Sequence, residues 1–339
     1  MKLKTILVAG AALAATATVA HADTLADVKA RGELNCIVTT GLVGFAYTDE
    51  NGQWRGFDAD FCRATAAAIF GDGSKVKFVP TTGKTRFTAL NAGEGDILYR
   101  NTTETMSRDV DLKLSFLGIN YYDGQGFMVK KDLGVTSAKE LNGASVCIQT
   151  GTTTELNLAD YFRANDMSYE PVPIETNDEA RANYLSGRCD VYTTDASGLA
   201  ATRASLDDPK NHIVLPEIIS KEPLGPAVRQ GDEAWGDLTR WVLRAVIAAE
   251  EYGVTQENVA ELSAGPTGKP DVDRLLGTEG NFGEMIGLGN DWAANAIKAV
   301  GNYGEIFDRN IGPNTELGIE RGLNAQWYDG GLMYAAPIR

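Results

Sequence analysis

Residues 100–109, RNTTETMSRD, concentrate hydrogen-bond donors directly after a strand-like segment. The ten residues include two arginines, three threonines and one asparagine, and they offer almost no apolar side chain for a core to bury. An arginine presents a rigid fork of N–H groups that matches a carboxylate in two parallel hydrogen bonds. We therefore predict that Arg108 binds a ligand carboxylate and that Asn101 and Thr103 add donors beside it.

A second polar loop, residues 149–154 with the sequence QTGTTT, lies between a predicted strand and a predicted helix. The first N–H groups of a helix lack partners within the helix, and they bind anions. Gly151 lets the backbone approach a ligand closely because it has no side chain. The loop therefore predicts a second set of donors, at Thr152 and Thr153, facing a carboxylate.

The third loop, residues 193–198 with the sequence TTDASG, follows another predicted strand. In an open α/β sheet the ligand crevice lies outside the carboxyl ends of the strands, which is where all three loops begin. Asp195 could accept hydrogen bonds from a ligand ammonium, while Arg108 and the helix amides face a carboxylate. Together the loops have the right charges for a zwitterion, and a ligand touching two lobes would favour their closure.

Each of these residues also has a purely structural interpretation. Arg108 could be a surface arginine paired with Asp109 or Asp111. A threonine of the second loop could simply cap its helix, and Asp195 could cap the helix that follows it. Capping by the threonine is compatible with ligand binding, and these alternatives remain open on the residues alone.

The N-terminal residues are typical of an export signal. Lys2 and Lys4 precede a short run of small and apolar residues, 6–20, and Ala20-His21-Ala22 offers an A-x-A cleavage site. The pattern predicts a secretory signal peptide in residues 1–22; a retained membrane anchor is the alternative. We expect a periplasmic protein without direct membrane insertion.

The remaining 317 of the 339 residues suggest two domains, or one domain with two lobes. The signal segment contains two lysines and no acid, so 29 basic residues face 46 acidic ones, a net charge of −17. This acidic balance argues against nucleic acid and anionic membranes as partners.

Four cysteines are expected to form two disulfides, because the protein is exported and the count is even. Three connectivities are possible. We favour Cys36–Cys62 and Cys147–Cys189, because each pair would then lie within one lobe. Metal binding by these thiols is less favoured, since there is no C-x-x-C motif.

Segments typical of strands and helices alternate along the chain, which predicts an α/β fold. We expect two lobes of the type II periplasmic binding protein class, each a mostly parallel sheet flanked by helices. The predicted strands are 34–39, 76–80, 96–98, 145–148, 169–173 and 190–193. The predicted helices are 58–70, 85–92, 153–164, 177–186 and 232–252.

Two extended segments, 121–127 and 220–226, contain glycine or proline and could connect the lobes. Two crossings would make the first lobe discontinuous. We therefore place lobe one at residues 23–124 and 222–254, lobe two at 125–221, and a C-terminal extension that packs on lobe one at 255–339.

The usual enzyme motifs are missing. Nucleophilic triads of the common kind need a histidine base, and the mature chain has His212 alone, in a predicted strand where a structural role is favoured. There is no G-x-S-x-G. Gly83-Lys84-Thr85 resembles the end of a phosphate-binding loop, but Phe78 stands where its earlier glycine is required. The lack of these motifs favours a binding protein, for which we expect no cofactor and no metal.

Long segments of the chain resemble the polar amino-acid-binding proteins of ATP-binding-cassette importers, solute-binding protein family 3. The resemblance covers essentially the whole mature chain. It is carried by residues 56–72 (GFDADFCRATAAAIFGD), 86–109 (RFTALNAGEGDILYRNTTETMSRD), 121–129 (YYDGQGFMV), 143–162 (GASVCIQTGTTTELNLADYF), 187–200 (GRCDVYTTDASGLA), 219–232 (ISKEPLGPAVRQGD), 300–310 (VGNYGEIFDRN) and 322–339 (GLNAQWYDGGLMYAAPIR).

The resemblance implies two α/β lobes joined by two hinge strands. It implies that Arg108, Thr103 and the amide of Thr153 hold an α-carboxylate. It also implies that Asp195 holds the α-ammonium, and that Asn101 falls where related proteins use a serine to bind the ligand backbone.

The resemblance also bears on ligand preference. Arg86 falls where similar glutamate and aspartate binders carry an arginine near the ligand side chain; its alternative is a surface position on the helix 85–92. Phe45 falls near the family's aromatic lid, in a loop that aligns less securely. Glu104 departs from the family pattern, which tends to have an aromatic there, and this leaves the preferred ligand open.

We therefore expect a monomeric receptor that binds a free L-amino acid by lobe closure and delivers it to the permease subunits of an importer. Glu, Gln, Asp and Asn are the favoured ligands, with a broad range as an option. The alternatives are a ligand-sensing domain for a chemoreceptor or kinase, and a dehydratase-like enzyme on the same fold, for which no base is evident.

Overall fold

The computed structural model describes residues 23–339, so the predicted signal peptide lies outside the described residues. The strands in this range are β1 Leu34–Thr39, β2 Tyr47–Thr48, β3 Trp54–Arg55, β4 Val76–Thr81, β5 Ile97–Leu98, β6 Leu114–Phe116, β7 Tyr121–Asp123, β8 Gln125–Lys130, β9 Ser145–Gln149, β10 Glu170–Ile174, β11 Val191–Asp195, β12 His212–Val214, β13 Glu222–Leu224 and β14 Ala227–Arg229. The helices are α1 Thr24–Arg31, α2 Phe57–Phe70, α3 Arg86–Asn91, α4 Met106–Val110, α5 Thr153–Ala164, α6 Asn177–Leu185, α7 Ala196–Ala204, α8 Glu233–Glu251, α9 Val259–Leu262, α10 Pro270–Leu276, α11 Phe282–Met285, α12 Trp292–Val300 and α13 Tyr303–Asn310.

The strands form two five-stranded sheets, one in each lobe, in the orders β4-β1-β5-β14-β6 and β10-β9-β11-β8-β12. In each sheet three strands run parallel to one another, and the last two pairings are antiparallel. The predicted α/β lobes with mostly parallel sheets are confirmed, since four of the five strands in each sheet run in one direction and only β14 or β8 runs against them. Strands β14 and β8 directly follow the hinge strands, so no crossover helix precedes them and they enter their sheets in the opposite direction.

The two segments predicted to connect the lobes pair with each other. Strands β7 and β13 form a separate antiparallel ribbon in which Asp123 lies opposite Glu222 and Tyr121 lies opposite Leu224. The chain passes from one sheet to the other through β7 and returns through β13. The ribbon is therefore the hinge of the molecule. The domain boundaries given above remain a prediction from the sequence.

Both disulfides have the pairing favoured from the sequence. Cys36 of β1 is bonded to Cys62 of α2, and Cys147 of β9 is bonded to Cys189, two residues before β11. Each bond ties a strand of one sheet to an element of the same lobe. The constraint therefore acts within each lobe and leaves the hinge free to bend.

The C-terminal residues 255–339 are packed on lobe one and on the hinge. Helix α12 lies against α2 and α8, and its apolar residues join the core of that lobe. The hydroxyl of Tyr303 donates to the carbonyl oxygen of Asn120 at 2.9 Å, next to the start of β7. Arg321 makes a paired salt bridge to Glu250 of α8. This segment therefore belongs to the folded body of the protein.

His212 has a structural setting. It lies in β12 with a side chain that is largely buried, and its Nδ1 is 2.8 Å from the hydroxyl of Tyr184. Burial lowers the pKa of the imidazole, which favours the neutral ring. Among residues 23–339, no helix is both long enough and apolar enough to cross a bilayer.

Candidate ligand-binding site

A cavity between the lobes, the inner cavity, lies where the three polar loops meet. It encloses about 460 Å³ of empty space when its mouth is included. Lobe one contributes Thr39, Leu42, Arg86, Arg100, Asn101 and Thr103, and lobe two contributes Gln149, Thr152, Thr153, Thr154, Asn177, Thr194, Asp195 and Gly198. Seven of the eight ligand-binding residues predicted from the sequence are therefore either on this wall or directly behind it.

Three arginines of lobe one are buried at this cavity. Arg86, Arg100 and Arg108 have exposed fractions of 2%, 5% and 6%. Burial lowers the pKa of Arg100 and Arg108 to about 10 and lowers that of Arg86 well below its ordinary value. The charges of Arg100 and Arg108 lower the pKa of Arg86 further. Such a cluster is electrostatically costly unless an anion faces it, and this favours a ligand carboxylate.

Arg86 is a buried wall residue and not a surface residue of α3. Its Nη1 is shared among the carbonyl oxygens of Arg100 and Asn101 and the hydroxyl of Thr102, at 3.2–3.3 Å. Its Nε has no partner among the described residues. The guanidinium is thus held rigidly by the loop 100–102 while one donor remains free.

Arg108 adjoins the wall of the inner cavity through its contact with Thr103. Its Nη1 donates to the carbonyl oxygen of Thr103 at 2.7 Å, and its guanidinium lies over the ring of Phe87 at 5.1 Å. In the described part of the chain no carboxylate lies within 4.0 Å of it, which excludes the surface ion pair with Asp109 or Asp111. Arg108 and Arg86 share the Phe87 face, so the two cations are positioned together.

The start of α5 presents free amides to the same cavity. Thr152 is the N-cap, and its hydroxyl accepts from the amide of Glu155 while donating to the carbonyl oxygen of Gln149 at 2.7 Å. The amides of Thr153 and Thr154 donate to no acceptor within residues 23–339. A twelve-residue helix concentrates partial positive charge at this end. The first turn of α5 is therefore capped and can still bind an anion, so the two interpretations of this loop are compatible.

Gly151 makes the close approach of the lobes possible. It has φ of +73°, and a Cβ atom there would lie 2.9 Å from Cα of Lys84 in lobe one. Any larger residue would be strained in this conformation and would push the lobes apart. The glycine of the second loop is thus required by closure.

Asp195 is the anionic side of the cavity. It is the N-cap of α7, but its carboxylate makes no capping hydrogen bond. Burial raises the pKa of this carboxyl well above its ordinary value, and the nearby carboxylates of Asp123 and Glu222 raise it further. Arg86 and Arg108 act in the opposite direction. A ligand cation at Asp195 would relieve this strain, as predicted for an ammonium.

Glu222 of the hinge strand β13 was not anticipated from the sequence. Its Oε2 accepts from the hydroxyls of Thr103 at 2.5 Å and Thr153 at 2.9 Å, and so it bridges the two lobes. Its Oε1 accepts from Asn157 and Ser220, each at 2.7 Å. The hydroxyls of Thr103 and Thr153 therefore donate their protons to Glu222. Toward a ligand these hydroxyls can act only as acceptors, and the donors beside them are backbone amides.

Phe45 does not line the inner cavity. It is fully buried and packs edge-on against Phe57 and Tyr121 in the core of lobe one. Leu42, three residues earlier in the same loop, lines the cavity instead. Asn101 does line it, with a positive φ of 37° and a buried Oδ1 that has no partner among the described residues.

Five further wall or support residues were not predicted from the sequence: Thr39, Leu42, Arg100, Asn177 and Glu222. The sequence contained a signal for Arg100, because this residue directly follows the strand-like segment 96–99 and is the first residue of the stretch RNTTETMSRD. Glu222 had none, since acidic residues are frequent throughout the chain. Asn177 crosses the cleft, donating from Nδ2 to the carbonyl oxygen of Gly41 at 2.9 Å.

The family model of bacterial extracellular solute-binding proteins, family 3, matches residues 34–258, and the chain belongs to this family. It is 59% identical over 332 residues to the glutamate/glutamine/aspartate/asparagine-binding protein BztA of Rhodobacter capsulatus, covering 98% of this chain and 97% of that relative. It is 57% identical over 340 residues to the general L-amino acid-binding periplasmic protein AapJ of Rhizobium johnstonii, covering 100% of this chain and 99% of that relative.

A solved structure from Brucella ovis, an ABC transporter periplasmic binding protein with glutathione bound, is 58% identical in sequence. It superimposes with a TM-score of 0.91, covering 94% of this chain and 100% of that chain. The fold, the family and the periplasmic location predicted from the sequence are thereby confirmed. The chain is a solute-binding protein and not an enzyme.

Proposed function

We propose that this protein captures free L-amino acids between its lobes and delivers them to the permease subunits of an ATP-binding-cassette importer. The observation that carries the proposal is the inner cavity itself. It places buried arginines and the free amides of α5 on one side and the unpaired carboxylate of Asp195 on the other. This arrangement is complementary to a zwitterion.

Each end of the ligand has its own set of partners in this proposal. Arg108 and the amides of Thr153 and Thr154 bind the α-carboxylate. Asp195 binds the α-ammonium, and the hydroxyl of Thr103 accepts from it, because its proton is already donated to Glu222. Thr152 orients the amides as the N-cap.

The side chain of the ligand then faces the remaining cations. Arg86 has a free Nε, and Arg100 lines the cavity beside Asn101. Guanidinium groups favour the carboxylates and amides of Glu, Asp, Gln and Asn. The name of the Rhodobacter relative supports this set, and that of the Rhizobium relative supports a broader one. The Brucella ovis structure contains bound glutathione, so molecules larger than an amino acid belong in the titration.

Lobe closure is the output of binding. The hydroxyl oxygens of Thr103 and Thr153 lie 3.3 Å apart across the cleft, and Nδ2 of Asn177 donates to the carbonyl oxygen of Gly41. The described structure therefore has closed lobes. A ligand that bonds to both lobes stabilises this state over the open one. A permease can then distinguish loaded from empty receptors by their shape.

The test is calorimetric titration of unfolded, ligand-stripped and refolded protein with all twenty L-amino acids. We expect one-to-one binding that is tightest for Glu, Gln, Asp and Asn. Arg108→Ala should cost about 3–5 kcal/mol, roughly a hundred- to several-thousand-fold in Kd, because the buried α-carboxylate loses its charged partner and keeps only the α5 amides. The exposed Arg163→Ala is the matched control.

Absence of binding to every amino acid would overturn the proposal. Tight binding by a folded Arg108→Ala variant would overturn the role of Arg108 alone. Equal affinity for aliphatic, basic and acidic amino acids would show that the site recognises only the zwitterion, and Arg86 and Arg100 would then lose their selective role.

A further inference from the structure

A second cavity, the outer cavity, adjoins the inner one on the way to solvent. Leu42 and Asn177 line both. The outer cavity is bounded by the loop 40–43 and β2 from lobe one, and by α6 and the end of α7 from lobe two. It contains about 700 Å³ of empty space with its mouth, against about 460 Å³ for the inner cavity.

Arg181 is the available cation of the outer cavity. Within the described residues its guanidinium makes one long ion pair, 3.7 Å to Oδ1 of Asp178, an exposed residue of the same wall, and donates to no hydrogen-bond acceptor. By contrast, the hydroxyls of Thr202 and Ser205 already donate to backbone carbonyls. The wall therefore holds one guanidinium whose hydrogen-bond donors can take up an anion in place of the long pair with Asp178.

The inner cavity determines which part of a ligand can reach this space. The proposed partners of the α-carboxylate are Arg108 and the α5 amides, and those of the α-ammonium are Asp195 and Thr103. Leu42 and Asn177, which adjoin the outer cavity, belong to neither set. A ligand anchored at both α-groups can therefore extend outward only through its side chain.

Asn177 is the partition between the two cavities. Its Nδ2 bonds to the carbonyl oxygen of Gly41 at 2.9 Å and lies 3.4 Å from the hydroxyl of Thr39. Both contacts are made by the side chain of Asn177, so they can break without any movement of its main chain. A rotation of that side chain opens a path between the cavities while its amide can bond to a passing peptide group.

We propose that the outer cavity is a subsite for ligands extended through the side-chain carboxyl, namely γ-L-glutamyl dipeptides, with Arg181 binding their terminal carboxylate. This inference rests on the proposed amino-acid function, since the inner cavity must hold the α-groups. The γ-amide linkage places the second residue beyond the γ-carbon and leaves both α-groups free. An α-linked dipeptide lacks a free α-carboxylate on its glutamyl residue and does not fit the inner cavity.

The experiment is calorimetric titration of stripped protein with γ-L-glutamylglycine, α-L-glutamylglycine and L-glutamine. We expect the γ-linked dipeptide to bind within about tenfold of glutamine, and the α-linked one to bind at least a hundredfold more weakly. Arg181→Ala should weaken γ-L-glutamylglycine by about ten- to a hundredfold and change glutamine by less than about twofold, as expected for one exposed ion pair in a partly closed site. Arg188→Ala, an exposed arginine that follows α6, is the matched control.

Failure of γ-L-glutamylglycine to bind, in protein that binds glutamine, would overturn the outer subsite and leave the amino-acid function intact. Equal weakening of the dipeptide and of glutamine by Arg181→Ala would also overturn it, because the arginine would then act on the inner cavity. Failure of both ligands, and of every other amino acid, would overturn the amino-acid function and the subsite together.

Discussion

Asn324 pairs with the main chain of Tyr122 in both directions. Its Oδ1 accepts from the amide of Tyr122 at 2.7 Å, and its Nδ2 donates to the carbonyl oxygen of the same residue at 3.1 Å. Tyr122 is the middle residue of the hinge strand β7, and Asn324 is 4% exposed. The C-terminal segment is thereby bonded to the element that must twist when the lobes open.

Asn324→Ala should loosen both the segment and the hinge. Two hydrogen bonds are lost and two backbone groups of Tyr122 lose their partners, which predicts a decrease of about 1–3 kcal/mol in the free energy of unfolding. Because the bonds are present in the closed structure, we also expect more open molecules without ligand. Urea denaturation measures the first effect and small-angle X-ray scattering the second. The exposed Asn314→Ala should change neither, and unchanged stability of Asn324→Ala would contradict the prediction.

Glu222→Gln should destabilise the protein although the side chain keeps its size. The carboxylate accepts four hydrogen bonds, and an amide would place donors against at least one of the present donors, Thr103, Thr153, Asn157 and Ser220. The loss of matched partners predicts about 1–3 kcal/mol lower stability. Thermal and urea unfolding of this variant, with the exposed Glu320→Gln as control, provide the measurement. Equal stability of the two variants would show that the hinge carboxylate is dispensable.

Much of the fold follows from local sequence patterns. Strand β1 and helix α5 have the bounds that alternation and loop residues predicted, and the bounds of the other predicted elements differ from those observed by at most two residues at either end. These segments are locally consistent, because their apolar periodicity and flanking polar residues indicate the same element. The mostly parallel sheets were predicted, but the antiparallel strands β8 and β14 were not, because their direction depends on how the chain crosses the hinge.

The site was partly predictable for the same reason. Loops that follow strands could be placed at one edge, which brought Arg108, Thr153 and Asp195 together. Two of the residues that were missed, Glu222 and Asn177, act through contacts across the closed cleft. Such contacts depend on the tertiary arrangement and leave no local pattern in the sequence.

Ligand binding should weaken as the pH falls, because Asp195 must be ionised to hold an ammonium. In the closed lobes without ligand, burial raises the pKa of Asp195, and that of the neighbouring Asp123 is raised to about 6. A bound ammonium favours the carboxylate and lowers the pKa again, so binding below the free-state pKa must release a proton. We expect the Kd for L-glutamine to rise as the pH falls from about 7.5 to about 5.5, by at most about tenfold per pH unit for one proton.

Calorimetry near pH 6 in two buffers with different ionisation enthalpies counts the released protons. Asp195→Asn should bind about a hundredfold more weakly at pH 7.5 and should lose most of the pH dependence, since an amide does not titrate in this range. A Kd for the unmodified protein that is the same at both pH values would contradict the assignment of Asp195 to the ammonium.

Asp58 should make the protein less stable as the pH rises through the neutral range. This carboxyl is 3% exposed at the start of α2, where Oδ2 accepts from the amide of Asn101 at 3.3 Å, and burial raises its pKa to about 7. Below about pH 4 the folded and unfolded states both hold the proton. Between about pH 4 and 7 the folded state keeps the proton and the unfolded state loses it, so stability falls by about 1.4 kcal/mol per pH unit at most.

Asp58→Asn removes this titration and keeps an oxygen that can accept from Asn101. The variant should therefore gain stability relative to the unmodified protein as the pH rises from about 4.5 to 7.5, by up to about 3 kcal/mol. Urea denaturation at three pH values, with the exposed Asp166→Asn as control, measures the difference. Parallel pH profiles for Asp58→Asn and the unmodified protein would mean that this carboxyl is ionised in the fold, with Arg100 compensating its burial.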